Sequence, residues 1–408
     1  MALVVQKYGG TSVATPELIR RVAERVVARH RQGDRMVVVV SAMGDTTDEL
    51  QALASKVSRN PPERELDMLM ASGERISMSL LAMAIADLGV EAVSLTGSQS
   101  GIITDAVHQS ARITDLKPQR LLAELEKGRV IVVAGFQGVT PDDEETTLGR
   151  GGSNLTAVAL AYALQADVCE MNTDVDGIYT ADPRLVPNAR KLPLICPDEM
   201  LELASSGARV LQSRSVEFAK KYGVAIVVRS SFNDNPGTLI KETEGMEKVL
   251  VRGIAHDLSD AKITVRHVSD RPGIAAALFG ALAERHVNVD MIIQNTSEAG
   301  TTDVSFTVKE GDLGKALEVC QRVKAEIGAA DALADSEIAK VSVVGVGMRS
   351  HPGVAATAFK ALADAGINIQ MISTSEIKIS IVVRRADCEE AVRVLHAAFG
   401  LERDPGGN

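Results

Sequence analysis

The sequence predicts an α/β protein: a doubly wound, mostly parallel sheet followed by two smaller α+β modules. Three observations carry this. Apolar runs alternate with helical patterns from the N-terminus to about residue 240. A stretch of the second half returns at one offset of 80 residues. Aromatics are only 3% with no Trp, so the core must be Val, Ile, Leu, Ala and Met, which suits packed α/β layers better than an all-β sandwich.

Taken in order, strands are expected at Leu3–Tyr8, Met36–Ser41, Ala92–Thr96, Val130–Ala134, Val168–Asn172 and Ala225–Arg229. Several are unbroken Val/Ile runs, the pattern of a strand buried on both faces of a parallel sheet. Helical spacing predicts Glu17–Arg31, Glu63–Leu88, Pro118–Glu126 and Asn154–Leu164 between them. Ligands of such a sheet bind at the carboxyl ends of its strands. The repeat pairs Pro272 with Pro352, Gly273 with Gly353, Phe279 with Phe359, Leu282 with Leu362, Asn288 with Asn368 and Met291 with Met371. Each copy reads strand, Pro-Gly turn, amphipathic helix, Asn turn, strand and a further strand (Asp303–Val308, Lys378–Val383), a pair of βαββ-type modules. A Pro-Gly turn at a helix start offers free N–H groups to a carboxylate, so an effector site is the expectation, with a purely structural duplication as the alternative. Turn-rich, charged sequence from Asn233 through Gly245 marks a linker. The expected domains are 1–240, a linker at 241–262, and modules at 263–335 and 336–408.

A chain of 408 residues is too long for one ordinary core, and 45% hydrophobic with 24% charged residues places it among soluble globular proteins. A net charge of −10 argues against nucleic acid as partner. No charged leader or 18-residue apolar run is evident, so no membrane is expected. The cysteines (169, 196, 320 and 388) form no CxxC pair, which argues against structural zinc and a disulfide framework and predicts a reducing, cytoplasmic setting.

Candidate chemistry lies at the strand ends. Lys7-Tyr-Gly-Gly-Thr-Ser12 puts a fixed charge before glycines that let backbone approach an anion. Ser41-Ala-Met-Gly-Asp-Thr-Thr47 offers hydroxyls that either cap a helix or hold a carboxylate. Glu74 can accept from an ammonium or stand as half of a solvated Glu-Arg pair. Gly149-Arg-Gly-Gly-Ser-Asn154 precedes an apolar helix, a recipe for holding phosphate, with Arg150 as a carboxylate fork. Asp174-Val-Asp-Gly-Ile-Tyr-Thr-Ala-Asp-Pro-Arg184 is dense in Asp, Gly, Tyr and Arg, and lacks the spacing of a calcium loop. Walker A, GxGxxG, GxSxG and HExxH motifs are all missing, which counts against P-loop kinases, dinucleotide dehydrogenases and serine or zinc hydrolases.

Together with Gly73-Glu-Arg-Ile-Ser, Thr96-Gly-Ser-Gln and Gly135-Phe-Gln-Gly, these motifs resemble those of bacterial aspartate kinases, of the amino-acid kinase fold, over essentially the whole chain. The repeat resembles that family's tandem ACT domains, down to Gln294-Asn295 and Ser373-Thr-Ser-Glu-Ile. The resemblance implies phosphorylation of the β-carboxylate of L-aspartate by ATP with Mg2+, the first step toward lysine, threonine and methionine. It gives Lys7 and the residue at 154 catalytic roles, and Ser41, Thr47, Glu74, Arg150 and Ser153 to aspartate. Gly9, Gly10, Ser12, Thr173, Asp174, Tyr179, Asp182 and Arg184 would line the ATP site, with no metal site of protein ligands alone. Asp270, Pro272, Gly273, Ile274, Gln294, Asn295, Pro352, Gly353, Val354, Asn368 and Ile369 would hold lysine and/or threonine. Assembly is expected through the ACT domains, as a homo-oligomer or as a heterotetramer with a regulatory β subunit started near Met246.

Three positions depart from the family pattern. Asn154 stands where the family has Asp, Asn172 where it has an aromatic residue, and Ala355 where it has Thr. The first two open two alternatives, a weakly active ligand sensor or a kinase for another acidic amino acid; the third implies weakened feedback by lysine or threonine.

Overall fold

The computed structural model describes residues 2–208, 210–242, 250–295, 300–351 and 353–403. Pro352 and Met246 lie outside the described residues. The chain divides into two compact units. The first takes residues up to Ile178, Lys191–Ala204 and the stretch after residue 209; the second takes Tyr179–Arg190, Ser205–Ala208 and the residues from 250 onward.

In the first unit the strands are β1 (Leu3–Tyr8), β2 (Arg35–Val40), β3 (Ala92–Leu95), β4 (Ile102–Thr104), β5 (Ile113–Leu116), β6 (Val130–Ala134), β7 (Gln137–Val139), β8 (Glu145–Thr147), β9 (Val168–Thr173), β10 (Leu194–Ile195), β11 (Ile226–Ser230) and β12 (Thr238–Ile240). Eight of them form one sheet in the order β10-β12-β11-β9-β1-β2-β6-β3, parallel except where β12 meets β11. The unbroken runs Met36–Val40 and Val130–Ala134 are buried throughout, because helices cover both faces. A second sheet, β5-β4-β7-β8, was not foreseen: its strands are three or four residues long, too short for a visible period.

The helices of this unit are α1 (Pro16–Arg31), α2 (Thr46–Val57), α3 (Glu63–Met70), α4 (Ser72–Asp87), α5 (Gln119–Glu126), α6 (Gly152–Ala163), α7 (Pro197–Ser205, whose last residue belongs to the second unit) and α8 (Ser213–Tyr222). α1 shows why such a segment is helical. Thr15 accepts the Leu18 N–H, Pro16 opens the first turn, three basic residues close the last, and Ile19, Val22, Ala23, Val26 and Val27 form the buried stripe. The single helix expected over Glu63–Leu88 is two, jointed at Ala71. That stretch is apolar and long enough to span a bilayer by composition alone, yet it buries Asp67 and Glu74, 0% and 3% exposed.

The second unit contains β13 (Gly253–Asp257), then the first repeat: β14 (Asp260–Ser269), α9 (Ile274–Glu284), β15 (Val289–Gln294), β16 (Thr301–Lys309), α10 (Leu313–Val323) and β17 (Asp331–Asp335). The second repeat is β18 (Ile338–Val344), α11 (Val354–Asp364), β19 (Met371–Thr374), β20 (Lys378–Arg384) and α12 (Cys388–Ala398). The sheets run β15-β16-β14-β17 and β19-β20-β18-β13. β13 therefore takes in the second module the place that β17 takes in the first. This corrects the expected linker: residues 241–262 include β13 and the start of β14, and the second module is completed by a strand from upstream of the first. Each module also carries one more helix than a βαββ unit.

The buried Asp257, Asp260 and Lys340 and the half-exposed Lys309 pair across these strands. Lys340 sits 2.8 Å from Asp260, and Lys309 lies 2.6 Å from Asp257 and 2.7 Å from Asp260. Burial alone would raise the Asp257 carboxyl, but bonds from Lys309 and Ser259 outweigh it and hold the group down at about 2.

The first domain, expected as continuous over 1–240, is interrupted by Tyr179–Arg190 and Ser205–Ala208, which belong to the second unit. Ala181 and Val186 join the core of Val341, Val343, Val392 and Leu395, and the Ile254 N–H donates to the Thr180 carbonyl at 2.7 Å. Thr180 also meets Nε2 of His396, 1% exposed, at 2.9 Å. Burial depresses the His396 pKa, with Arg190 adding to the effect and Glu402 opposing it. The unfolded chain then binds this proton more readily, so the second unit should lose stability as pH falls below about 6.5. Thermal melts from pH 7.5 to 5 should be steeper in pH for the wild type than for His396→Gln; equal slopes would refute this.

Candidate active site

The carboxyl ends of β1, β2 and β6 open onto a cavity of about 410 Å³, within the range of small-molecule sites. Lys7, Ser41, Thr47, Glu74, Arg150, Ser153 and Asn154 all line it, so the structure brings together seven residues spread over most of the unit's sequence.

Lys7 is carried by β1 and its ammonium loses hydration there. Its pKa falls to about 8, the effect of burial outweighing the opposing field of Asp174. The chain then turns sharply past β2: a Cβ on Gly10 would lie 2.9 Å from the Ala42 carbonyl oxygen. Only glycine permits that approach.

Glu74 projects from the first turn of α4. Its Oε1 accepts the Ala42 N–H at 3.1 Å, while Oε2 is buried with no hydrogen-bond partner. Burial pushes its carboxyl up to about 7. A buried acceptor without a donor is costly.

α6 begins two residues before its expected start, at Gly152, which places Ser153 and Asn154 in its first turn at the cavity wall. The helix is apolar nearly all round and buried, and in its first turn the Gly152 N–H donates to the Gly149 carbonyl and the Asn154 N–H to the Gly151 carbonyl, each at 2.9 Å. Arg150 is exposed on the loop before it.

Other expected residues lie elsewhere. Gly9 follows Lys7, and Thr173 bonds Asp174 at 3.0 Å at the end of β9, but these residues do not line the cavity. Ser12 is 1% exposed and its hydroxyl meets that of Ser231 at 2.5 Å. Tyr179, Asp182 and Arg184 belong to the second unit, where Arg184 forks onto Asp182 at 2.7 Å. Asn172 is 1% exposed and its Nδ2 has no acceptor.

In the repeats, Gly273 and Gly353 sit at the helix starts with φ of 96° and 108°. Asp270, Pro272, Gln294, Asn295 and Asn368 are exposed there and Ile369 is partly so, whereas Ile274 and Val354 turn their side chains into the core.

Sequence reasoning missed Asp48, Gln51, Asp67, Gln109 and Thr147 in the cavity wall. Nothing local marks Asp67, one of four charged residues on α3.

Comparison with known proteins agrees with this geometry. The model of the amino acid kinase family matches residues 2–230, and ACT-domain models match 262–324 and 341–399. The aspartokinase of Mycolicibacterium smegmatis is 56% identical, covering 99% of this chain and 97% of its own. That of Corynebacterium glutamicum is 52% identical over 98% and 97%. Among solved structures, E. coli aspartokinase III in complex with aspartate and ADP has a TM-score of 0.83 at 26% identity, covering 97% of this chain and 99% of its own. The same enzyme with lysine and aspartate gives 0.77 at 27%, with the same coverage. A kinase cavity at the strand ends, a duplicated C-terminal module and full-length similarity agree: the chain belongs to the amino acid kinase family, among the aspartokinases with tandem ACT domains.

Proposed function

We propose that this chain transfers the γ-phosphoryl group of ATP to the β-carboxylate of L-aspartate, using the cavity beside Lys7. The observation that carries this is Glu74, its buried Oε2 without a hydrogen-bond partner, lining the same cavity as Arg150, Lys7 and the start of α6. An anion for an ammonium, a fork for a carboxylate and a cation for a phosphoryl group together describe an acidic amino acid meeting a nucleotide. The E. coli relative solved with aspartate and ADP supports the same substrates.

In this reading Glu74 accepts from the α-ammonium and Arg150 grips the α-carboxylate. Ser41, Thr47 and Ser153 bond what remains. The β-carboxylate is already ionised at neutral pH, so it attacks phosphorus without a general base and ADP leaves. Charge on the transferring group is met by Lys7 and the positive end of the α6 dipole. Gly9, Gly10, Thr173 and Asp174 lie toward the nucleotide. Magnesium, when bound, would neutralise phosphate charge. Among the described residues no three metal-ligating side chains cluster, which suits an ion carried chiefly by phosphates, with Asp174 as the carboxylate nearest in effect to Lys7.

Hydroxylamine trapping with ATP and a panel of acidic amino acids tests this. Hydroxamate should form with L-aspartate; none from aspartate, or more from another amino acid, would overturn it. Asn154 favours a second outcome, nucleotide binding with little turnover. Glu74→Gln keeps the bond to Ala42 and loses the charge, so KM for aspartate should rise about 10- to 100-fold. A neutral Glu74 cannot pair an ammonium. Wild-type KM should therefore climb as pH falls below about 7, and the Gln variant should lack that rise. A parallel rise in both would sink the assignment.

The ACT pair would bind lysine, threonine or both at the Pro-Gly helix starts. Lysine in the E. coli relative supports the first. Ala355 packs on the module core, so a hydroxyl contact there is missing and inhibition should be weak. Ile292 and Ile372, repeat-equivalent and 51% and 38% exposed on edge strands, offer apolar surface for assembly. Four free cysteines accord with a cytoplasmic setting.

A further inference from the structure

The buried carboxylate of Asp67 is surrounded by donors that the reaction does not use. The Thr147 hydroxyl donates to Oδ1 at 2.6 Å, His108 Nδ1 donates to Oδ2 at 2.7 Å, and the Gln109 N–H reaches both oxygens at 3.1 Å. These donors come from two segments 41 and 80 residues away from it. Thr147 ends β8, two residues before Gly149 and three before Arg150. Gln109 stands at a φ of 61°, a left-handed conformation that a non-glycine residue holds only when its surroundings fix it.

The same two segments are clamped from other sides. The Ala111 N–H donates to the Thr147 carbonyl at 2.9 Å. Arg214 donates to the Leu148 and Ala111 carbonyls, each at 2.8 Å. Gly149, at a φ of 76°, lies so close to the Gln109 carbonyl that a Cβ would come within 2.8 Å of its oxygen. Residues 108–111 and 147–149 thus form one block, and Asp67 is its buried anchor. Held on α3 and 0% exposed, it ties the base of the Arg150 loop to the helix pair that carries Glu74.

We propose that Asp67, acting through Thr147 and His108, is a positioning residue that sets the distance between the Arg150 loop and Glu74, and so the affinity for the amino-acid substrate. The proposal rests on the reading that Arg150 and Glu74 hold the two ends of aspartate. Losing one charge-assisted bond from a buried block lets the loop wander, and a mis-set fork costs binding rather than chemistry. Asp67 touches no reacting atom.

Asp67→Asn keeps shape but turns an amide donor toward other donors. Its KM for aspartate should rise about 10- to 100-fold, with kcat and KM for ATP within about threefold of wild type. Thr147→Val, a milder change that keeps the fold if Asp67→Asn does not, should raise KM for aspartate about fivefold or more, and Thr147→Ser should restore it. Hydrogen exchange gives a readout independent of activity: amides 148–153 should exchange faster in both disruptive variants, with those of β1, β2 and β6 unchanged. If the wild type forms no hydroxamate yet exchange changes this way, the substrate reading fails and the anchor stands. Unchanged exchange and KM for aspartate in both variants would overturn the proposal, as would an equal rise in KM for ATP.

Discussion

Lys7→Met should lower kcat by on the order of 10³-fold while leaving KM for aspartate within a few-fold, and it should raise the melting temperature. The two effects have one cause. Lys7 is held where burial drives its pKa down to about 8 from an ordinary 10.5. The unfolded chain keeps the proton to the higher value, so at pH 7 the folded chain bears the full cost of a charged, poorly hydrated ammonium. Methionine fills a similar volume without that cost. In turnover the same charge meets the phosphoryl group, which is where the strain is used. kcat/KM should also fall in the wild type as pH rises past about 8, and this limb should vanish in the variant. A variant that melts earlier, or retains a tenth of wild-type turnover, would remove Lys7 from the mechanism.

Asn154→Asp should raise turnover on the order of 10²–10³-fold. The residue opens α6 at the wall of the cavity that Lys7 shares. A carboxylate there is favoured by the helix N-terminus, so the fold should accept it. Its charge would lift the Lys7 pKa and move the alkaline limb of kcat/KM upward from about 8. The pH profile separates mechanism from accident. More turnover without a shifted limb would mean that the introduced carboxylate acts on something other than Lys7. Neither change would mean that asparagine suffices here and that this chain's activity is set elsewhere.

Much of this architecture is legible in the chain itself. The unbroken runs at Val37–Val40 and Val130–Ala134 announce strands covered on both faces, and Gly9 and Gly10 after β1 and Gly149, Gly151 and Gly152 at the start of α6 mark the ligand end. The match at 80 residues announces the twin modules, because identical turns and core positions need identical packing. Local signals suffice where the cause is local: a period, a cap, a turn.

Other features had no local signal because their partners are far along the chain. Nothing in Gly253–Asp257 says that it pairs with β18 rather than serving as linker; the open edge of the second module decides it. Nothing in the stretch after Ile178 says that Ala181 and Val186 leave the kinase unit for the core around Val392 and Leu395. Asp67 reads as one more helix acid until Thr147 and His108 close upon it. Glu74 is half of a common Glu-Arg pair in the sequence. In the fold, Arg75 pairs with Glu145, and Glu74 is left buried at the cavity wall with one oxygen unpartnered. The sequence alone determined which strands and motifs exist and where a ligand must approach. The tertiary structure decided which charges are desolvated and which donors they meet, because desolvation and pairing depend on neighbours that only folding assembles.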